Sequence, residues 1–193
     1  FGFGRVSGSG FPGEVGGSVR EIRERQAIER ANLSFGQGVT VTPVQLVAAM
    51  AVFANGGVRV TPRITRASAD TPAVAGERAI SERTARIVLE MMRQVVVDGT
   101  GKGAALPHVS VAGKTGTATN HDGKTSDVWL ILYLPGKPGQ PERGVVLGFW
   151  MGKDAKARPL GDRGSTGGPG FAESGGRNWL LFGARHFARD FLY

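Results

Sequence analysis

The segment that decides the fold is Val-Ala-Gly-Lys-Thr-Gly-Thr-Ala at residues 111–118. It sets one lysine and two threonine hydroxyls among two glycines, directly after an apolar approach. Valine and threonine favour extended backbone, while Gly113 and Gly116 leave a strand face bare, so that a ligand can come close. We therefore predict an edge strand that carries a ligand-binding Lys-Thr-Gly.

The same segment contains Gly113-Lys114-Thr115, which is also the end of a nucleotide-binding P-loop. That motif requires a glycine at position 108, where this chain has His108. A P-loop also opens a helix directly after its lysine and threonine, and Gly116 is a poor residue for the interior of a helix. The sequence therefore argues against a nucleotide site.

The composition is that of a globular protein with excess glycine and positive charge. The chain has 193 residues, 40% hydrophobic and 21% charged, with 31 glycines and a net charge of +8. This length allows one good core. The basic residues are scattered or interleaved with glutamates, as over 20–30, which is typical of a solvated surface. We expect no nucleic-acid partner, since no aromatic platform lies beside the basic groups.

Metal and membrane sites find little support in the sequence. There is no cysteine, and the three histidines, His108, His121 and His186, lie far apart. We therefore expect neither a metal nor a cofactor, and we interpret His108 and His121 as surface loop residues. The longest apolar run, 128–134, is far shorter than the roughly 20 residues that span a bilayer. Because the chain begins with Phe1, we expect it to be a piece of a longer protein.

The clearest helix is predicted after Thr42, which can cap it, with Pro43 at the first helical position. Residues 44–54 are apolar on nearly every side, which indicates a core helix. Residues 55–57, Asn-Gly-Gly, end it in the left-handed conformation that glycine tolerates. A short strand is expected over 58–64, at an edge or an end because of its proline.

A second, amphipathic helix is predicted from Ser81 as cap to a stop at Gly99. Its apolar residues are spaced by three and four and form one buried stripe: Ala85, Val88, Leu89, Met92, Val95 and Val96. We expect a polar loop over 68–77, before the helix, and a flexible turn over 99–103, after it.

Three strands are predicted next, over 108–119, 127–134 and 144–152, joined by short connections such as 120–124. Such an order gives an antiparallel meander. The middle strand is apolar on both sides and should be covered on both faces. A long loop and a terminal helix at 171–193 complete an α+β fold, with helices and an antiparallel sheet segregated in one domain.

In combination, four stretches resemble the C-terminal part of the transpeptidase domain of penicillin-binding proteins. They are Gly-Phe-Pro-Gly-Glu at 10–14, the turn and helix start at 34–46, Ala-Asn-Gly-Gly at 54–57, and Gly-Thr-Gly at 99–101 ahead of 111–118. The resemblance covers nearly the whole chain and implies the penicillin-binding, serine β-lactamase-like fold. The Pro-Gly-Glu and Gly-Gln-Gly features favour class B, although 145–153 looks more like class A.

The resemblance implies acyl transfer, in which a serine attacks a peptidoglycan stem peptide and a second peptide resolves the acyl-enzyme. β-Lactams acylate the same serine. By this resemblance Lys114 supplies positive charge near the serine and the substrate carboxylate. Thr115 and Thr117 bind that carboxylate through their hydroxyls, the Thr117 N–H forms half of the oxyanion hole, and Gly116 keeps the strand face clear.

Two motifs of that family are missing from the chain. No lysine has a serine three residues before it, and no asparagine has a serine two residues before it, so Ser-x-x-Lys and Ser-x-Asn are absent. We expect both upstream, and we expect this chain to be inactive without that N-terminal part of the domain. The alternative is a non-catalytic scaffold in a cell-wall synthesis complex.

The expected partners are therefore a peptidoglycan stem peptide, β-lactams, the N-terminal part of the same domain and other membrane proteins of cell-wall synthesis. The expected location is the bacterial cell envelope, at the outer face of the cytoplasmic membrane, with any anchor in the missing N-terminal region.

Overall fold

The computed structural model describes residues 1–19, 27–65, 76–119, 125–137 and 143–152. The connection at 120–124, the long loop after 152 and the terminal helix predicted at 171–193 lie outside these residues. The elements in chain order are β1 (Ser18–Val19), α1 (Ala27–Ser34), β2 (Val39–Thr40), α2 (Pro43–Ala54), β3 (Val58–Arg59), β4 (Glu77–Arg78), α3 (Glu82–Asp98), β5 (Ala112–Thr119), β6 (Thr125–Leu134) and β7 (Val145–Gly152).

Helix α2 begins and ends where the sequence predicts. The Thr42 hydroxyl accepts from the Gln45 N–H at 3.2 Å, the Gln45 side chain accepts from the Thr42 N–H at 2.8 Å, and Pro43 opens the helix. Gly56 and Gly57 follow with φ of 62° and 94°. Every residue of α2 after Pro43 is at least half-buried, which confirms the core helix.

Helix α3 is also confirmed. The Ser81 hydroxyl accepts from the Thr84 N–H at 3.1 Å, and the helix runs to Asp98. All members of its predicted apolar stripe are at least half-buried, with Ala85 and Val96 fully so. None of the helices in the described ranges is both long and apolar enough to cross a membrane.

Strands β5, β6 and β7 form the predicted antiparallel meander, in the order β5-β6-β7. The first strand begins at Ala112 rather than at residue 108. His108 has a φ of 63°, a left-handed conformation that a strand cannot contain, so the chain turns there before β5 starts. His108 is exposed, as expected of a loop residue.

The sheet is covered on both faces, as the apolar middle strand predicts. On one face Val128, Leu130, Leu132 and Leu134 pack with α3 residue Val96. On the other face Ile131 is 6% exposed. Its partner on β7 is Gly148, and a Cβ there would collide with Val47 of α2. Helices α2 and α3 therefore lie on opposite faces of the sheet.

Two short strand pairs differ from the predictions. The strand expected over 58–64 is only Val58–Arg59, which ends before Pro62, a residue that cannot donate to a ladder. Its partner is Glu77–Arg78, whose first residue belongs to the polar loop that the sequence predicts over 68–77. The pairing is a long-range contact with an Arg59–Glu77 ion pair at 2.9 Å, and no local alternation marks it. Strands β1 and β2 likewise pair without a sequence signal.

Candidate active site

The lysine-threonine segment lies on β5 at the edge of the sheet. β6 pairs with one side of β5, and within the described part of the chain no strand pairs with the other side. The predicted edge strand is therefore confirmed. Because side chains alternate along a strand, Lys114 and Gly116 lie on one face, and Thr115 and Thr117 lie on the other.

Lys114 is exposed, and its Nζ donates to the Thr115 carbonyl oxygen at 2.7 Å. It stands opposite Ile131, on the sheet face that α2 covers. No carboxylate of the described residues forms an ion pair with it. An ammonium group has three donors, so this lysine can still direct positive charge and hydrogen bonds to an anion.

The two threonines differ in their surroundings. Thr117 is exposed. Thr115 is half-buried, and its Oγ1 lies 2.8 Å from Oγ1 of Thr100, at hydrogen-bond distance. Sequence reasoning did not find this contact, since Thr100 lies 15 positions earlier in the chain. The Gly-Thr-Gly motif at 99–101 was the available signal.

The two glycines serve different purposes. A Cβ at Gly113 would lie 2.5 Å from Leu132 Cδ2 and 2.9 Å from the Ile131 carbonyl oxygen. Gly113 is buried and allows close packing within the sheet, so our prediction that it leaves a face open for a ligand is wrong. Among the residues that the structure describes, a Cβ at Gly116 would meet only the Cβ of Trp129, at 3.4 Å. Gly116 therefore has the open side that the prediction requires.

An aromatic pair lies beside Gly116 on the Lys114 face. Gly116 is paired with Trp129, and Trp129 with Trp150, so the three are in register across the sheet. The tryptophan rings are 6.0 Å apart, and Trp150 is 46% exposed. The Trp150 Nε1–H donates to Asp127 Oδ1 at 3.0 Å, which fixes the outer ring.

Away from β5, a polar cluster holds the Pro-Gly-Glu segment. Glu14 accepts from the Ser7 N–H at 2.9 Å and from the Ser9 hydroxyl at 3.2 Å. The hydrogen bonds from Ser7 lower the pKa of Glu14. The other described carboxyls with a lowered pKa, Glu77, Glu90 and Asp98, are likewise off β5. The described residues of β5 thus offer a cation and hydroxyl donors but no carboxylate, and the nearby Asp127 carboxylate on β6 accepts from Trp150.

The penicillin binding protein transpeptidase domain is the family whose model matches residues 1–140. The penicillin-binding protein PbpB of Mycolicibacterium smegmatis is 34% identical, over 94% of this chain and 30% of that protein. The peptidoglycan D,D-transpeptidase FtsI of Escherichia coli K12 is 38% identical, over 76% of this chain and 25% of its own length. The chain spans less than a third of the length of these relatives.

Solved structures agree on the fold. The TP domain of penicillin-binding protein 3 from Burkholderia pseudomallei has a TM-score of 0.71 at 26% identity, over 99% of this chain and 55% of that one. Penicillin-binding protein 3 from Mycobacterium tuberculosis, complexed with aztreonam, has a TM-score of 0.65 at 30% identity, over 99% and 44%. The α+β fold is thereby confirmed, and PbpB and FtsI are class B proteins, as the resemblance favoured. The chain belongs to the penicillin-binding protein transpeptidase domain family.

Proposed function

We propose that this chain supplies one wall of the active site of a peptidoglycan D,D-transpeptidase. The observation that supports this most strongly is an exposed lysine on the open edge strand, next to the clear Gly116 and the exposed Thr117. A strand edge also presents unpaired N–H and C=O groups, which an extended peptide can bind. The substrate class, a peptide with a terminal carboxylate, fits such an edge.

Lys114 supplies the positive charge in this proposal. Its ammonium stabilises the nucleophilic serine in its reactive form and attracts the terminal carboxylate of the stem peptide. Fixed charges of this kind act strongly in a site from which water is excluded. The present partner of Nζ is a neutral carbonyl, so donors remain for the serine and the substrate.

The threonines bind the carboxylate through their hydroxyls, and the Thr117 N–H donates to the oxygen that becomes negative during attack. Thr115 and Thr117 lie on the face opposite Lys114. A ligand that lies along the edge of β5, rather than over one face, can be reached from both faces. Lys114 and the two threonines can therefore contact the same ligand although their side chains lie on opposite faces of β5.

The serine itself comes, in this proposal, from an upstream Ser-x-x-Lys segment of the same domain. Its oxygen attacks the carbonyl between the two terminal D-alanines, the last D-alanine leaves, and an acyl-enzyme forms. The amine of a second stem peptide then displaces the serine and completes the cross-link. A β-lactam opens its ring on the same oxygen and stays attached, which accounts for β-lactams as ligands.

We place this reaction in the bacterial cell envelope, at the outer face of the cytoplasmic membrane, beside other membrane proteins of cell-wall synthesis. The similarity to FtsI, which is named a peptidoglycan D,D-transpeptidase, supports this location. Peptidoglycan is the cell-wall polymer, so an enzyme that cross-links it works where that polymer is assembled.

The test is labelling with a fluorescent penicillin. The full-length protein should be labelled on the serine of its Ser-x-x-Lys segment, as peptide mass spectrometry can show. Residues 1–193 alone should remain unlabelled, and adding the upstream part of the domain should restore labelling. Labelling of residues 1–193 alone would contradict the proposed division of the site. If penicillin does not label the full-length protein, the result would favour the alternative of a non-catalytic scaffold.

A further inference from the structure

A tight turn after α3 brings Thr100 against the candidate active-site strand. The Gly99 and Gly101 N–H groups both donate to the Val95 carbonyl, at 3.1 and 3.0 Å. The Ala104 N–H donates to the Gly101 carbonyl at 2.9 Å. The flexible turn predicted over 99–103 is therefore hydrogen-bonded on both sides of Thr100.

The glycines beside Thr100 are required by close packing. A Cβ at Gly99 would lie 2.7 Å from Val95 Cα, and one at Gly101 would lie 3.2 Å from the Val95 carbonyl oxygen. Glycine at 99 is needed for this close approach to α3, and glycine at 101 avoids a tight contact with Val95. The residue between the two glycines is thereby held in one place, next to β5.

We propose that Thr100 is a positioning residue that orients the Thr115 hydroxyl toward the carboxylate of the ligand. The proposal rests on the proposed function, in which Thr115 binds that carboxylate. The two hydroxyl oxygens are 2.8 Å apart, and either can donate to the other. A carboxylate can only accept hydrogen bonds. The Thr115 hydroxyl must therefore donate its one hydrogen to the ligand, and its oxygen accepts from the Thr100 hydroxyl.

The resulting chain runs from the Thr100 hydroxyl to the Thr115 hydroxyl and on to the carboxylate. Hydrogen bonds in such a chain polarise and strengthen one another. Thr100 therefore acts on anionic ligands through Thr115 and touches no reacting atom. Its contribution should shrink when the carboxylate loses its charge and disappear when the Thr115 hydroxyl is removed.

The experiment measures the second-order rate of acylation of the full-length protein by a fluorescent penicillin. Thr100→Val, which keeps the shape and removes the hydroxyl, should lower the rate about three- to tenfold. Thr100→Ser should restore most of it. Thr115→Val should lower the rate at least as much, and the double Val variant should be no slower than Thr115→Val alone.

Acylation rates with the carboxyl methyl ester of the same penicillin distinguish a loss of positioning by Thr100 from a loss of folding. Thr100→Val should slow acylation by the ester less than acylation by the acid, because the uncharged ester accepts a weaker hydrogen bond from Thr115. A disturbed fold would slow both compounds equally. Thr40→Val, at an exposed threonine of β2, is the matched control and should leave both rates unchanged.

The outcomes distinguish this inference from the function on which it rests. If Thr115→Val is impaired while Thr100→Val is not, or if the two losses multiply in the double variant, the positioning role of Thr100 is wrong. If Thr115→Val itself acylates at the wild-type rate, the carboxylate role proposed for Thr115 is wrong, and the role of Thr100 is wrong with it.

Discussion

The edge strand β5 and the start of α2 use polar groups in opposite ways. On β5, Lys114 and Thr117 are exposed, and their partners on β6, Ile131 and Val128, are buried and apolar. At α2, Gln45 is 2% exposed, and its amide donates to the carbonyls of Arg5 and Gly16 at 2.8 and 2.7 Å. The polar groups on the edge strand β5 are therefore available to a ligand, whereas the buried Gln45 amide holds the N-terminal loop to α2.

The largest effect should come from Lys114. We expect Lys114→Gln to lower penicillin acylation of the full-length protein about 100- to 1,000-fold, because a fixed charge at the reacting oxygen is lost. The melting temperature should stay unchanged, since the side chain is exposed. Arg63→Gln removes an equal charge from another exposed residue and is the control. Equal loss in both variants would mean that Lys114 acts only through net charge.

The next effect should be structural and at α2. Gln45→Met removes both amide donors while keeping the volume, and it leaves two carbonyl groups without their partner. We expect a loss of about 2–4 kcal/mol in the free energy of unfolding, measured with denaturant. Gln94→Met, at an exposed position on α3, should cost far less. If the two substitutions cost the same, Gln45 does not hold the loop.

The two glycines of β5 allow a packing role and a ligand-binding role to be compared within a single strand. Gly113→Ala should destabilise the fold by about 1–3 kcal/mol, because its Cβ overlaps Leu132 and the Ile131 carbonyl. Gly116→Ala should lower acylation with a smaller change in stability, since Trp129, at 3.4 Å, is the one contact that a Cβ would make within the described part of the chain. Thermal unfolding and penicillin labelling of both variants check this. The reverse order of stabilities would contradict the assignment of the two glycines.

The smallest effect should be the pH response of Glu14. Its folded pKa lies below the ordinary value of 4.5 because Ser7 and Ser9 donate to the carboxylate. Its stabilising effect is therefore complete above the unfolded pKa and is lost as the pH falls through the lower folded pKa. The difference in denaturant midpoint between the wild type and Glu14→Gln should shrink as the pH is lowered. A difference that stays constant with pH would show that the carboxylate charge is not involved.

Much of the fold could be predicted because its signals are local. The Thr42 and Ser81 caps, the glycines after α2 and the apolar stripe of α3 each act within a few residues of where they occur. Predictions failed where distant segments meet. Glu77 joins a strand because the distant Arg59 is its partner. The start of β5 was misplaced for a different reason, since the left-handed backbone of His108 is not evident from the residue types around it. Gln45 was unremarkable in the sequence because its carbonyl partners lie 29 and 40 positions away.

The sequence by itself determined α2, α3, the meander and the identity of the lysine-threonine strand, since periodicity, caps and the eight-residue motif at 111–118 all lie in neighbouring residues. Only the tertiary structure decided which glycine faces the open side and which one packs against Leu132. It also decided that Thr100 reaches Thr115. The physical reason is that interactions between residues close in the sequence fix the conformation of each element. Contacts between elements depend instead on how α3 and the sheet pack together.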